Sequence, residues 1–220
     1  MMQPEKIIIA DDHPLFRAAL TQAVGQAVDD VEVIEADTIA ELQRSVVENS
    51  EADLVLLDLN MPGAHGFSGL VFMRGQYPGL PVVMISGTED IQVIRKAIDY
   101  GASGFIPKST SLQLIAEAIQ AVLNGDVWLP VDVQGRIDRV DPETCDFSEK
   151  LATLTPQQFR VLSMLMEGLL NKQIAYELDV SEATIKAHIT AVFRKLGVRN
   201  RTQAVIAVQQ LEVEKPVTPE

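Results

Sequence analysis

The chain has 220 residues, which is long enough for two small domains with a core each. A hydrophobic content of 47% excludes a wholly disordered chain, and a single cysteine excludes an intramolecular disulfide and a zinc site built from cysteines. We find no leader segment and no apolar run of about 18 residues, so we expect a soluble, cytoplasmic protein without a membrane partner.

The net charge of −13 is distributed unevenly along the chain. Residues 1–130 contain 7 Lys and Arg against 18 Asp and Glu, whereas residues 151–220 contain 8 against 7. An acidic first part and a near-neutral second part indicate two domains with different partners. The acidic charge of the whole chain therefore does not exclude nucleic-acid binding by the second part.

The first part of the chain alternates short apolar strands with amphipathic helices. Five such βα units in succession predict an α/β fold, a doubly wound five-stranded parallel sheet. Pro107 falls inside the fifth strand and requires that strand to lie at an edge, as it does in the order 2-1-3-4-5. The predicted strands are residues 6–10, 31–36, 54–57, 81–85 and 104–107, and the predicted helices are residues 13–27, 38–48, 67–76, 89–100 and 112–123.

Three acidic residues end neighbouring strands of this predicted sheet. Asp11 and Asp12 follow the first strand and Asp58 follows the third, so the strand order places them together at the edge where open α/β sheets bind ligands. Each could instead simply cap the segment that follows it. Because three carboxylates in one crevice repel one another, we expect a cation, and hard oxygen ligands suit Mg²⁺.

Two further polar residues are predicted at the same edge. Ser86 follows the fourth strand and Lys108 follows the fifth. A hydroxyl and an ammonium group beside three acids fit a site that holds a phosphoryl group, because Mg²⁺ and Lys108 would neutralise its charge. Residues 1–128 are therefore predicted to form one domain with a phosphoryl site.

Residues 129–150 are predicted to be a flexible or loosely packed linker. They are acidic, lack hydrophobic periodicity and are interrupted by Gly135 and Pro142. Cys145 lies in this segment without a neighbouring His, and we assign it no chemical role.

Residues 151–211 are predicted to form a smaller all-α domain, followed by a disordered tail at 212–220. Thr155, Pro156 and Gln158 have the pattern of a capping box with Pro at the first helical position. Two later helices are joined by a tight turn, and Ser181 is suited to cap the second of them. This arrangement predicts a helix-turn-helix.

The helix predicted at residues 182–196 has an apolar face and a basic face. The first exposed residues of a recognition helix reach base edges, so Lys186 could donate to guanine and Ala187 or Thr190 could contact a thymine methyl. The alternative is a basic face that is merely solvated. Residues predicted to contact DNA are Lys172, Lys186, Ala187, Thr190, Arg194 and Lys195, with Arg199 and Arg201 as further phosphate contacts.

Residues 5–125 resemble the receiver domain of two-component response regulators. The resemblance rests on Asp11-Asp12, Asp58 with Met61-Pro62-Gly63, Ser86 and Lys108. It implies that Asp58 accepts a phosphoryl group from a phosphohistidine of a partner kinase. It also implies that the Asn60 main-chain carbonyl joins Asp58 and Asp11 or Asp12 around Mg²⁺.

The same resemblance implies two switch residues, Ser86 and Phe105. The alternative for Phe105 is an ordinary half-buried strand aromatic. On the switch interpretation, phosphorylation draws Ser86 toward the phosphoryl group and moves Phe105 inward.

Residues 169–205 are similar to the LuxR-type helix-turn-helix, chiefly in segments 171–175, 181–188 and 195–201. A receiver followed by this domain resembles the NarL/FixJ class. The resemblance implies a phosphorylation-dependent transcription regulator with a sensor histidine kinase and double-stranded DNA as partners, and a homodimer when phosphorylated. Gln158 departs from the family's common acidic residue, which predicts a neutral hydrogen bond in place of an ion pair.

The unphosphorylated receiver is expected to restrain the second domain, and its acidic surface could pair with Lys186 and Arg194. Two other functions fit parts of this pattern. A phosphohydrolase with Asp58 as nucleophile is disfavoured, because haloacid-dehalogenase-like phosphatases have a second Asp where this chain has Asn60. A DNA-binding protein that does not depend on phosphate is disfavoured by the complete set of acidic, Ser and Lys residues.

Overall fold

The computed structural model describes residues 5–134 and 145–211, with side chains in the second segment described from Phe147 onward. Its first part contains a five-stranded parallel sheet with the order β2-β1-β3-β4-β5. The predicted fold class and strand order are therefore confirmed, and Pro107 lies on an edge strand. The strands are β1 (Glu5–Ala10), β2 (Val31–Ala36), β3 (Leu54–Asp58), β4 (Val82–Ser86) and β5 (Gly104–Pro107).

Helices cover both faces of the sheet because its central strands are apolar on both faces. Ile7 and Ile9 of β1 belong to one buried cluster, whereas Ile8 and Ala10 belong to the other, as the alternation of side chains along a strand requires. The helices of this part are α1 (Pro14–Ala27), α2 (Ile39–Glu48), α3 (Ser68–Gln76), α4 (Ile91–Asp99) and α5 (Leu112–Leu123).

The second part is helical, as predicted. Thr155 and Gln158 form the predicted capping box, and the Ser181 hydroxyl accepts a hydrogen bond from the Thr184 amide. Gly197 ends the helix at Glu182–Leu196 in the left-handed conformation that glycine tolerates best. The helices are α6 (Cys145–Ala152), α7 (Pro156–Met166), α8 (Asn171–Glu177), α9 (Glu182–Leu196) and α10 (Arg201–Gln209).

Helix α6 corrects the prediction for the end of the linker. Phe147 and Leu151 lie four residues apart, one helical turn, and both pack into the cluster that includes α3. The loosely packed connector predicted for residues 129–150 is therefore wrong at 145–150, where tertiary packing stabilises a short acidic helix. Residues 135–144, the predicted tail at 212–220 and the side chain of Cys145 lie outside the described residues.

No helix in the described part of the chain is both long enough and apolar enough to cross a bilayer.

Candidate functional site

The predicted acidic cluster forms where β1 and β3 end side by side. One ligand atom from each of Asp11, Asp12, His13 and Asp58 lies within 4.8 Å of the others. Asp11 and Asp58 are buried, whereas Asp12 is partly exposed. Parallel pairing of the two strands thus brings together carboxylates that are 47 and 46 residues apart in the chain.

Lys108 reaches this cluster from the end of β5. Its Nζ atom lies 2.7 Å from Asp11 Oδ2 and 3.0 Å from Asp58 Oδ2, and 4.9 Å from the centre of the Phe16 ring. Its amide donates a 2.7 Å hydrogen bond to the Ser86 carbonyl, which fixes the backbone at the start of this loop. One ammonium group therefore neutralises part of the charge of two buried carboxylates.

Lys108 does not fully offset the cost of burying the charged Asp58 carboxylate. Burial raises the pKa of the Asp58 carboxyl, and repulsion from Asp11 adds to the effect, although the hydrogen bond and charge of Lys108 oppose it. Burial by itself lowers the pKa of Lys108, but hydrogen bonds to Asp11 and Asp58 outweigh it and the net pKa is raised. A further positive charge beside Asp58 would therefore be stabilising.

The Asp58 carboxylate has one oxygen available for new bonds. Oδ2 contacts Lys108, whereas Oδ1 is buried and has no hydrogen-bond donor among the described residues. Oxygen atoms of Asp11 and Asp12 are close enough to share a cation with Asp58, and this donor set suits Mg²⁺. The site opens into a cavity of about 480 Å³, lined by His13, Leu15, Phe16, Asp58, Asn60, Gly87 and Lys108.

The remaining predicted residues of the site lie around this cavity. Asn60 lines it, and its main chain lowers the pKa of the Asp58 carboxyl, against the effect of burial. Ser86 ends β4 next to β3, is buried, and accepts a 3.3 Å hydrogen bond from the Thr88 amide. Phe105 is already fully buried, so the predicted inward movement is not available to it from this position.

Two residues of the site were not singled out from the sequence. His13 Nδ1 lies 2.7 Å from Asp12 Oδ1 and 3.3 Å from Asp11 Oδ1, and 64% of its side chain is exposed. Phe16 provides the aromatic face beneath the Lys108 ammonium. The position of His13 directly after Asp11-Asp12 was the available signal. Imidazole is a poorer ligand for Mg²⁺ than carboxylate, so His13 is better suited to orient the acids.

The second candidate site is the exposed face of α9. Ile185 is buried in the core of the helix-turn-helix, whereas Lys186, Ala187, Thr190 and Arg194 are exposed. Lys172 on α8 is also exposed. The helical phase predicted for this helix is therefore confirmed.

The expected pairing of the receiver with Lys186 and Arg194 is wrong for this structure. Both side chains are exposed because the first part of the chain packs against α6 and α7, which in turn cover the apolar side of α9. The basic face of α9 is therefore open to solvent.

Two basic residues predicted to contact DNA phosphates instead make hydrogen bonds within the protein. Lys195 Nζ donates to the Thr153 carbonyl at 2.7 Å and to Gln158 Oε1 at 2.8 Å. Gln158 therefore makes a hydrogen bond rather than an ion pair, as predicted, but the bond is not neutral because its donor is the Lys195 ammonium group. The Arg201 guanidinium donates to the carbonyls of Leu169 and Leu165 at the end of α7.

Comparison with known proteins assigns the family. Residues 7–120 match the response regulator receiver domain, and residues 152–208 match the luxR family of bacterial regulatory proteins. The chain belongs to the response regulators of the NarL/FixJ class, in which a receiver precedes a LuxR-type helix-turn-helix. This family consists of DNA-binding regulators, which overturns the phosphohydrolase alternative.

Several relatives extend over nearly the whole chain. The glycerol metabolism activator of Pseudomonas putida is 43% identical over 214 residues, covering 94% of this chain and 96% of that protein. The nitrate/nitrite response regulator protein NarL of Escherichia coli strain K12 is 29% identical over 211 residues, covering 94% and 96%. The structure of the Salmonella typhimurium response regulator RcsB has the same fold, with a TM-score of 0.55 at 22% identity, covering 95% of this chain and all of that one.

Proposed function

We propose that this protein is a cytoplasmic transcription regulator whose DNA binding depends on phosphorylation of Asp58. The observation that supports this most directly is the buried Asp58 Oδ1 atom, which has no donor within the described residues and stands beside Lys108 and two further acids. A nucleophile, a cation-binding set and a fixed ammonium group are the parts that phosphoryl transfer requires.

The transfer is a simple exchange of bonds. Asp58 Oδ1 attacks the phosphorus atom of a phosphohistidine on the partner kinase, an O–P bond forms, and the P–N bond breaks. The departing imidazole takes up a proton. Lys108 stabilises the charge on the phosphoryl oxygens, and the Ser86 hydroxyl can turn from its contact with the Thr88 amide to donate to one of them. Mg²⁺ held by Asp11, Asp12, Asp58 and the Asn60 carbonyl would supply the remaining positive charge.

Phosphorylation then controls dimerisation and binding to double-stranded DNA. Lys186, Ala187 and Thr190 are proposed to contact bases, since they are exposed near the start of α9. Arg194 and Lys172 are proposed to contact phosphates, which set the register of the protein on DNA rather than its sequence preference. A dimer would present two such helices to the two halves of a symmetric site.

The test compares the wild type with Asp58→Asn. Both proteins are incubated with phosphoramidate and Mg²⁺, and intact mass reports the addition of one phosphoryl group. Fluorescence anisotropy then measures binding to duplexes selected from a random library with the treated wild type. We expect a mass increase and tighter, sequence-selective binding for the wild type only.

Two other outcomes would contradict this proposal in different ways. Equal DNA binding by the treated and untreated wild type would identify a regulator that does not depend on phosphate. Phosphorylation without selection of any duplex would leave the receiver chemistry intact and refute the assignment of α9 as a reading helix.

A further inference from the structure

The two domains share an apolar interface built on α3. The rings of Phe72 on α3 and Phe159 on α7 have centroids 4.4 Å apart, and both side chains are fully buried. Leu151 and Leu154 beside them have no exposed surface. These four side chains belong to the same buried cluster as one face of the receiver sheet. Domains joined by a small polar interface move independently by default, and an interface of this apolar character opposes such movement.

Polar contacts fix the geometry of the interface at two points. Gln76 Nε2 at the end of α3 donates 3.0 Å hydrogen bonds to the carbonyls of Ala152 and Leu154. The Phe67 amide, just before α3, donates a 3.0 Å hydrogen bond to the Leu211 carbonyl after α10. Helix α3 is thus attached to the second domain at both of its ends.

The segment between α6 and α7 links α3 to the recognition helix. The Ala152 carbonyl accepts from Gln76 of the receiver, and the neighbouring Thr153 carbonyl accepts from Lys195 of α9. Val192 and Leu196, on the apolar side of α9, lie in the same buried cluster as α3. The orientation of α9 relative to the receiver is therefore determined by side chains, not only by the covalent linker.

This docked arrangement leaves the basic face of α9 exposed. Release of the second domain is thus not needed to uncover it. We infer that the two domains bind DNA as one docked unit, in which α3 positions the recognition helix and Lys195 is a positioning residue. This inference rests on the proposed function, and in it phosphorylation brings two docked units together rather than separating the domains of each.

The first experiment measures whether the domains stay docked. Spin labels are placed by cysteine substitution at Val47 on α2 and Glu167 at the end of α7, both exposed, in a Cys145→Ser background. Pulsed dipolar spectroscopy is recorded on the labelled protein diluted with unlabelled protein, alone, with Mg²⁺ and beryllofluoride, and with a selected duplex added. We expect one narrow distance that is the same in all three conditions. A broad or displaced distance with beryllofluoride or with DNA would overturn the inference.

The second experiment separates the domains by mutation. A Cβ atom at Gly75 would lie 2.4 Å from Ala152 Cβ and 2.8 Å from the Ala152 carbonyl oxygen, so a larger residue cannot be accommodated without moving α6. Gly75→Leu is therefore expected to undock the domains. Gly25→Leu is the matched control, since Gly25 is also helical and a Cβ atom there meets nothing within 4 Å. Both changes favour the helix that contains them, so neither receiver is expected to unfold.

For Gly75→Leu with beryllofluoride, we expect a broad spin-label distance and binding to the selected duplex weaker by about tenfold, the size of a typical overpacking effect. Gly25→Leu should match the wild type. If Gly75→Leu stays docked, Gln76→Glu is added, because a carboxylate would face two carbonyl oxygens. An undocked variant that binds as tightly as the wild type would refute the inference.

A failure of the proposed function would give a different experimental result. If the wild type selects no duplex, the assignment of α9 is wrong. The distances measured with and without beryllofluoride still test whether the domains stay docked on activation.

Discussion

Arg201 provides a direct test of which basic residues hold the second domain together. Its guanidinium bonds to the carbonyls of Leu165 and Leu169, where α7 ends and its carbonyl groups have no partners within the helix. Arg201→Gln shortens the side chain and removes the charge. We expect both carbonyls to lose the donor that Arg201 supplies, although the Leu165 carbonyl still accepts from the Gly168 amide.

The size of the effect follows from these two contacts. A hydrogen bond to a charged group contributes about 1.5–3 kcal/mol. The Arg201 side chain is partly exposed, so water can replace part of what is lost, and the lower end of that range applies to the pair. We therefore expect Arg201→Gln to lower the free energy of unfolding by about 2 kcal/mol, a large fraction of the roughly 5–15 kcal/mol typical of proteins.

Urea unfolding followed by circular dichroism measures this difference, with Arg199→Gln as the control. The Arg199 side chain is exposed, and surface substitutions of this kind usually change stability by less than about 0.5 kcal/mol. The salt dependence of DNA binding is measured on the same proteins. Equal stability of the two variants, together with a salt slope reduced by about 1 for Arg201→Gln, would refute the structural role and restore Arg201 as a phosphate contact.

Three further predictions concern the two sites. In EDTA, Asp58→Asn should be more stable than the wild type. Because the pKa of Asp58 is raised on folding, this difference in stability should shrink as pH falls toward about 4. Mg²⁺ should stabilise only the wild type in thermal unfolding. Lys186→Gln should reduce the salt slope of DNA binding by about 1, whereas Lys195→Gln should weaken binding at an unchanged slope, as anisotropy titrations would show. The Thr190 hydroxyl bonds to the Lys186 carbonyl and leaves its methyl group for a thymine, so Thr190→Val should keep the selected sequence preference and Thr190→Ser should lose it.

The sequence was sufficient to predict the receiver pocket, because the strand order of an α/β sheet and the edge at which it binds ligands follow general rules. Apolar runs identified the strands, and the strand order placed Asp11 beside Asp58 with Lys108 at the same edge. The exposed face of α9 followed from helical phase alone. Such patterns report which side of an element is buried.

Patterns along one chain do not report which neighbour buries that side. Lys195 has the charge and spacing of a phosphate contact, yet it bonds to Thr153 because α6 and α7 bring that carbonyl within reach. The same limit explains helix α6: its acidic composition resembles a linker, and it is stabilised by contacts with α3 and α9 that the local sequence does not report. Phe105 could be placed on a strand, but its complete burial depends on packing that the sequence does not encode locally.

The interface on α3 also limits how freely the two halves of this chain can be recombined with those of other regulators. A fragment cut at residue 151 would expose Phe159 and Leu154, which the receiver now covers. A chimaera with a foreign receiver would need a small residue opposite Ala152 and a donor opposite its carbonyl, as Gly75 and Gln76 provide here. The two domains have separate sequence motifs, but each covers apolar side chains of the other. The interface residues of the two domains are therefore expected to change together in evolution.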